Sequence, residues 1–147
     1  MVANSDEEVG KTAIDYFSWS HINMGLVSFM LLSLINIIPS MVTSTLVYLI
    51  PYWSMILLVI VVMLIWELFE NFVLYKWGAK FENRQDTLLN ATWDVIFGII
   101  GGFYMWVIKG ILVNLIGLYM VPVYFIICLI SFIVCLAAFL IGRAISK

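Results

Sequence analysis

Residues 51–75 read PYWSMILLVIVVMLIWELFENFVLY, and this stretch decides what kind of protein the chain is. No charged side chain interrupts it before Glu67. As a helix it is long enough to cross a bilayer core of about 30 Å, which takes roughly 20 residues. Trp53 and Trp77 bracket it, as aromatic residues do at membrane interfaces, and Pro51 suits a helix start. Its apolar residues run continuously. A strand of a membrane barrel would alternate apolar and polar residues between frequent turns.

The pattern repeats on both sides. Residues 22–38 form a first apolar run, preceded by Tyr16, Phe17 and Trp19 and halted at Pro39–Ser40. Residues 41–50 are apolar but short, which fits an interfacial helix or a re-entrant piece. Residues 87–108 form a third run that ends at Lys109–Gly110, and residues 111–141 form a last one of awkward length. The whole chain is 65% hydrophobic and 11% charged, where a soluble domain carries about 25% charged residues. The fold class is therefore all-α, a polytopic transmembrane helical bundle. Residues 1–15 form a polar, acidic N-terminal segment, and 16–147 the transmembrane helical domain. That segment lacks the positive leader and small-residue cleavage site of a signal peptide, so the first span is expected to be retained.

Charge distribution orients the bundle. With four spans, Lys11, Lys76, Lys80, Arg84, Arg143 and Lys147 share one side and only Lys109 lies opposite. Five spans would move Arg143 and Lys147 across and leave four against three. Four spans are preferred, with five possible and with 111–121 as a partial helix broken at Pro122. The basic residues are too few to track a nucleic-acid backbone. Cys128 and Cys135 are about 10 Å apart along a helix, too far for a disulfide. With one histidine, His21, read as an interfacial residue, a zinc, haem or iron–sulfur site is not expected.

The functional signal lies in the second and third spans. They form a hairpin about the polar turn near Lys80, so residues equidistant from that turn share a depth. Glu67 pairs in this way with Asp94, and Asn71 with Asn90. Each set also shares a helix face: Glu67, Glu70 and Asn71 on one helix, Asp86, Asn90 and Asp94 on the other. A carboxylate at the centre of a span costs roughly 2.5–3.5 kcal/mol on insertion scales, so these acids must face a cavity or one another. Facing acids repel, and the site is expected to hold a proton, a cation or a basic partner. Glu67, Glu70 and Asp94 are the candidate catalytic groups, and Glu67 and Asp94 the candidate metal ligands, with Mg²⁺ the possible cofactor. Asn71, Lys80, Arg84, Asp86 and Asn90 are the candidate substrate-binding residues. A basic rim of Lys76, Lys80 and Arg84 above an acidic pocket suits a phosphorylated headgroup. The plainer readings are that the acids pair with a partner's lysines, and that the basic rim is an ordinary cytoplasmic loop. Gly98 and Gly102 form a small-xxx-small pair for close helix packing.

The segments WELFEN at 66–71, RQD at 84–86 and NATWDVIFG at 90–98 resemble the VanZ-like families of small membrane proteins. Those families carry an acid near the end of one span, an arginine and an acid in the next loop, then an acid and a glycine in the following span. Glu67 or Glu70, Arg84, Asp86, Asp94 and Gly98 occupy those places. Two features depart from the pattern: Glu70 or Asn71 replaces a glutamine, and no asparagine accompanies Gly98. The resemblance implies a polar hairpin in a cell-envelope protein. Three functions follow as expectations. The chain binds or processes a lipid-linked phosphate at the cytoplasmic face of the cell membrane. Alternatively it is an accessory subunit of a membrane complex, or it moves protons or cations through a homo-oligomer.

Overall fold

A computed structural model describes residues 3, 5–80 and 83–145, so Glu82 and Lys147 lie outside the described residues. The described chain is built from four long helices: α1 (Phe17–Thr43), α2 (Ser54–Leu68), α3 (Leu88–Lys109) and α4 (Val121–Ile145). A wide π-helical turn, Phe69–Leu74, extends α2, and another, Gly110–Ile116, extends α3. No strand is present among the described residues. All four helices, with their extensions, are long and apolar enough to cross a membrane. The chain is an all-α transmembrane bundle.

Several boundaries differ from the sequence reading, each for a local reason. The first helix runs through Pro39 to Thr43 rather than stopping at 38. Side chains on that helix hold the connection that follows: the Asn36 amide donates to the Ile50 carbonyl at 2.7 Å and accepts from its N–H at 3.0 Å. Ser40 Oγ accepts from the Val47 N–H at 2.8 Å. Most of residues 41–50 therefore form a stapled loop, not a helix of their own. The last apolar stretch breaks at Gly117 rather than at Pro122. Gly117 has φ +142°, where a side chain is strained. Pro122 lies in the first turn of α4, where its missing N–H costs nothing. Residues 110–116 thus extend the third span, and among the described residues no further helix is long enough to supply a fifth.

Helices in lipid gain no hydrophobic free energy from meeting each other, so small residues that let backbones approach set the packing. The closest pairing is α1 with α3. A Cβ on Gly25 would lie 1.7 Å from the Gly98 carbonyl oxygen, and one on Gly101 would lie 2.0 Å from that of Ile22. The nearest atoms to a Cβ on Gly98 would be those of the flexible Met63 side chain. Around this contact Leu26, Phe29, Met55, Val59, Met63, Met105 and Tyr124 form the core. Leu64, Ile65, Leu115 and Val134 face outward, as side chains against lipid should.

The amino-terminal segment, the 75–87 connection and the end of α4 lie at one end of the bundle. Thr87 N–H donates to the Gly10 carbonyl at 2.8 Å, and the Tyr16 and Phe139 rings are 5.8 Å apart. At the other end the Tyr52 hydroxyl donates to the Trp106 carbonyl, and Lys109 is buried with its ammonium 4.9 Å from the Tyr52 ring centroid, a cation–π contact.

Two outcomes are expected. Gly25→Ala must push two backbones apart and lowers stability by about 1–3 kcal/mol, while Gly98→Ala costs less because a methionine tip moves; thermal unfolding in detergent compares them. Cysteines at the exposed positions Lys76 and Arg143 are labelled from the same side of a sealed vesicle, and one at Tyr119 from the other. Labelling of position 143 from the side opposite to position 76, with position 119 on the side of position 76, would establish a fifth crossing.

Candidate functional site

Three elements build the site at the end of the bundle that carries the amino terminus. Thr87 caps α3 by accepting from the Asn90 N–H at 3.3 Å. That fixes the helix register and turns Asn90, Asp94 and Gly98 inward, one turn apart. From α2 and its wide turn come Glu67, Glu70 and Asn71. Alpha-helical bonding gives way to π-type bonding at Phe69, a device that recurs at functional sites. From α1 comes His21, buried, with its Nε2 3.5 Å from Asp94 Oδ2.

Asn71 is the hub of the hairpin. Its Nδ2 donates to Glu67 Oε1 at 2.6 Å. Its Oδ1 accepts from Lys80 Nζ at 2.6 Å and from the Asp86 N–H at 2.8 Å. Lys80 Nζ also pairs with Asp86 and lies 3.9 Å from Glu70 Oε1, and Trp66 Nε1 donates to Glu70 Oε2 at 3.0 Å. Lys80 is only 8% exposed. It is thus an internal counter-charge rather than part of an open basic rim. Lys76 is exposed, and Arg84 Nη1 reaches the Glu7 carbonyl at 3.2 Å.

Of the four residues expected in one cavity between the second and third spans, two meet as expected. Glu67 and Asp94 are both buried, and with Asp86 they bring one carboxylate oxygen each within 4.8 Å of one another. Asn90 lines a small cavity with Asp94 rather than with Glu67, and its Nδ2 donates to the Thr12 carbonyl at 3.0 Å and to Asp15 Oδ2 at 3.3 Å. Asn71 serves the hairpin. The site is closed on its third side by α1 and by the amino-terminal segment, which folds over it. A small, partly open cavity of about 20 Å³ lies between Gly10, Asp15, His21, Lys80, Asp86 and Asp94. That is room for one water or one dehydrated ion. Two larger clefts of about 360 and 310 Å³ flank it, one between α1 and α2 at His21 and Glu70, the other between α2 and α3 at Glu67 and Asp86.

His21 and Asp15 are the residues that sequence reasoning missed. His21 belongs to the site and not to an exposed interface, because α1 packs directly on α3 through glycine. The sequence offers an imidazole near the start of a span, but nothing in it relates residue 21 to residue 94. Asp15 closes the segment by accepting from the N–H groups of Phe17 at 2.8 Å and Gly10 at 3.1 Å. Burial pushes its carboxyl above the usual carboxylate range, against those hydrogen bonds and with help from the charge of Asp86.

Electrostatically the site is over-supplied with acid. Asp15, Glu67, Glu70, Asp86 and Asp94 surround one buried lysine and one histidine. Glu67 Oε2, Asp94 Oδ1 and His21 Nδ1 are buried without a hydrogen-bond partner. Buried polar atoms are rarely left so, and carboxylate oxygens in this number are matched by protons or by a cation.

No protein-family model, curated protein or solved structure matches the chain. The geometry itself separates structural acids from available ones. Asp86→Asn strands the buried Lys80 ammonium, with an expected loss of about 3–5 kcal/mol, whereas Glu67→Gln and Asp94→Asn leave stability unchanged or raised. Chemical or thermal unfolding of the three variants checks the order.

Proposed function

We propose that this is a cell-membrane protein that binds a lipid-linked phosphate at the cytoplasmic face, through a divalent cation held by Glu67, Asp86 and Asp94. The observation that supports it is the convergence of those three carboxylates, with Glu67 Oε2 and Asp94 Oδ1 buried and unpartnered. Hard oxygen ligands of this kind suit Mg²⁺. Size sorts the roles. The small cavity of about 20 Å³ beside Asp86 and Asp94 has room for an ion and not for a phosphate, so the headgroup belongs in the flanking cleft that Glu67 lines, its oxygens completing the cation's shell.

Orientation follows from charge. Among the described residues, Lys11, Lys76, Lys80, Arg84 and Arg143 lie at the end that carries the site, and Lys109 at the other, so positive-inside bias puts the site on the cytoplasmic side. The residues that carry the VanZ-like resemblance, Glu67, Glu70, Arg84, Asp86 and Asp94, gather at this same end, which favours a shared use for them. Lys80 supplies from within the chain the cation that an accessory-subunit reading asks of a partner.

Thermal unfolding of the metal-stripped protein in lipid nanodiscs tests the proposal. Mg²⁺ is expected to stabilise the protein, by about 2.7 kcal/mol at a hundredfold excess over its Kd. Glu67→Gln and Asp94→Asn are expected to abolish that gain. Nanodiscs with a phosphate-headed lipid should tighten Mg²⁺ binding where those with neutral diacylglycerol do not. Absence of any Mg²⁺ effect, or equal effects in both lipids, refutes it.

A further inference from the structure

Glu67 belongs to a second convergence, with His21 and Glu70, whose ligand atoms also lie within 4.8 Å of one another. His21 and Glu67 each have one atom held from behind and one left over, and Glu70 has one held and one in a long ion pair. His21 turns Nε2 toward Asp94 Oδ2 at 3.5 Å and leaves Nδ1 without a partner. Glu67 accepts from Asn71 on Oε1 and leaves Oε2 without a partner. Glu70 accepts from Trp66 on Oε2, and its Oε1 has only the Lys80 ammonium, 3.9 Å away. His21 is 6% and Glu67 8% exposed. Metal ligands are typically fixed in this way: the non-ligating atom of each histidine or carboxylate is hydrogen-bonded by an outer residue, and a carboxylate behind a histidine is one such pair.

We propose that His21 Nδ1, Glu67 Oε2 and Glu70 Oε1 form a three-ligand site for a borderline divalent cation of the Mn²⁺, Fe²⁺ or Zn²⁺ type, with its remaining positions open to the α1–α2 cleft. The proposal rests on the cation-dependent phosphate reading and gives it a metal class. One imidazole nitrogen with two carboxylate oxygens favours these ions over Mg²⁺, which prefers an all-oxygen shell. Three protein ligands leave room for water or a phosphate oxygen, as in metal sites that act on substrates. The cleft of about 360 Å³ reaches His21 and Glu70, so a ligand arrives at the metal from the bilayer side. Beyond Met24 and Trp66 it meets a wholly apolar groove that includes Val62, Ile65 and Phe69. A phosphate-bearing lipid has that shape: an anionic head at the metal and a chain along the groove. Asp94 then acts as a positioning residue for the His21 ring.

The test is metal binding by the full chain in nanodiscs, with Mn²⁺ as probe. Pulsed electron paramagnetic resonance of the bound Mn²⁺ is expected to show ¹⁴N coupling from one imidazole. His21→Gln removes that coupling and weakens Mn²⁺ binding about tenfold or more, with little effect on Mg²⁺. Should His21→Gln fail to fold, His21→Cys serves: it keeps Zn²⁺ binding through sulfur and loses the nitrogen signal. If Mn²⁺ binds without ¹⁴N coupling and is lost only in Glu67→Gln or Asp94→Asn, the His21 site is refuted while the carboxylate cation site stands. If neither Mn²⁺ nor Mg²⁺ binds, both fall.

Discussion

The buried ammonium of Lys80 is the interaction on which the site end of the molecule depends. It sits where the chain leaves α2 and has not yet begun α3, and it is held by Asn71 Oδ1, by Asp86 and at longer range by Glu70. An isolated lysine in this position is expensive to desolvate, and so is each isolated acid. Together they satisfy one another, and the satisfaction has a geometric consequence. It draws the connecting loop down onto the end of α2, places Asp86 directly before the Thr87 cap of α3, and so aligns the two helices in depth. One charge cannot balance all the carboxylates it attracts. Asp86 is matched, Glu70 is partly matched, and Glu67 and Asp94 are left over. The excess that makes the site available to a cation comes from the same ion pair that closes the hairpin.

A second constraint acts from the side. Helix α1 can bring His21 against Asp94 only because Gly25 and Gly101 let the two backbones touch, in a medium that offers helices no hydrophobic reason to associate. The glycine contact and the histidine–aspartate contact lie one turn apart along the same pair of helices. Packing and site are therefore a single arrangement. The segment before α1 completes it by giving its backbone carbonyls to Asn90 and Thr87, groups that would otherwise face the headgroups unbound. An asparagine in the wall of the cavity is in this setting also the anchor of the segment that covers it.

The residues that were legible in the sequence were those whose partners lie close along the chain. The hairpin has one short turn, so equal distance from Lys80 translated into equal depth, and Glu67 and Asp94 meet as the spacing of their helices required. The four-span count was legible from the placement of lysine and arginine. The location of His21 was not, because nothing local relates residue 21 to residue 94; that contact is decided by which helix faces which, and glycines on two distant spans decide it. Pro39 and Pro122 misled for a related reason. A proline reads as a stop, yet in the first turn of α4 it is harmless, and in α1 the chain beyond it is secured by Asn36 and Ser40 from within the helix. Gly117, the actual break, is ordinary by letter and special only by its backbone angle.

The position of the site along the membrane normal limits what it can do. Asp94 is two turns inside α3 and Glu67 two residues before the widened turn of α2, so the acids lie just below the depth at which the chain meets water. A group much deeper would be neutral or bound to a partner at all times, since hydrocarbon gives no other means of carrying its charge. A group at the surface would be screened by salt and would hold an ion weakly. Between those limits a carboxylate is shielded enough to bind a cation strongly and close enough to the interface to receive one from solution, while its side openings face the lipid. A site with water above and acyl chains beside it is suited to a ligand that has both a charged end and an apolar one. Four of its five acids come from an α2–α3 hairpin that α1 and the amino-terminal segment close. That geometry leaves lateral clefts as the way in for anything larger than an ion.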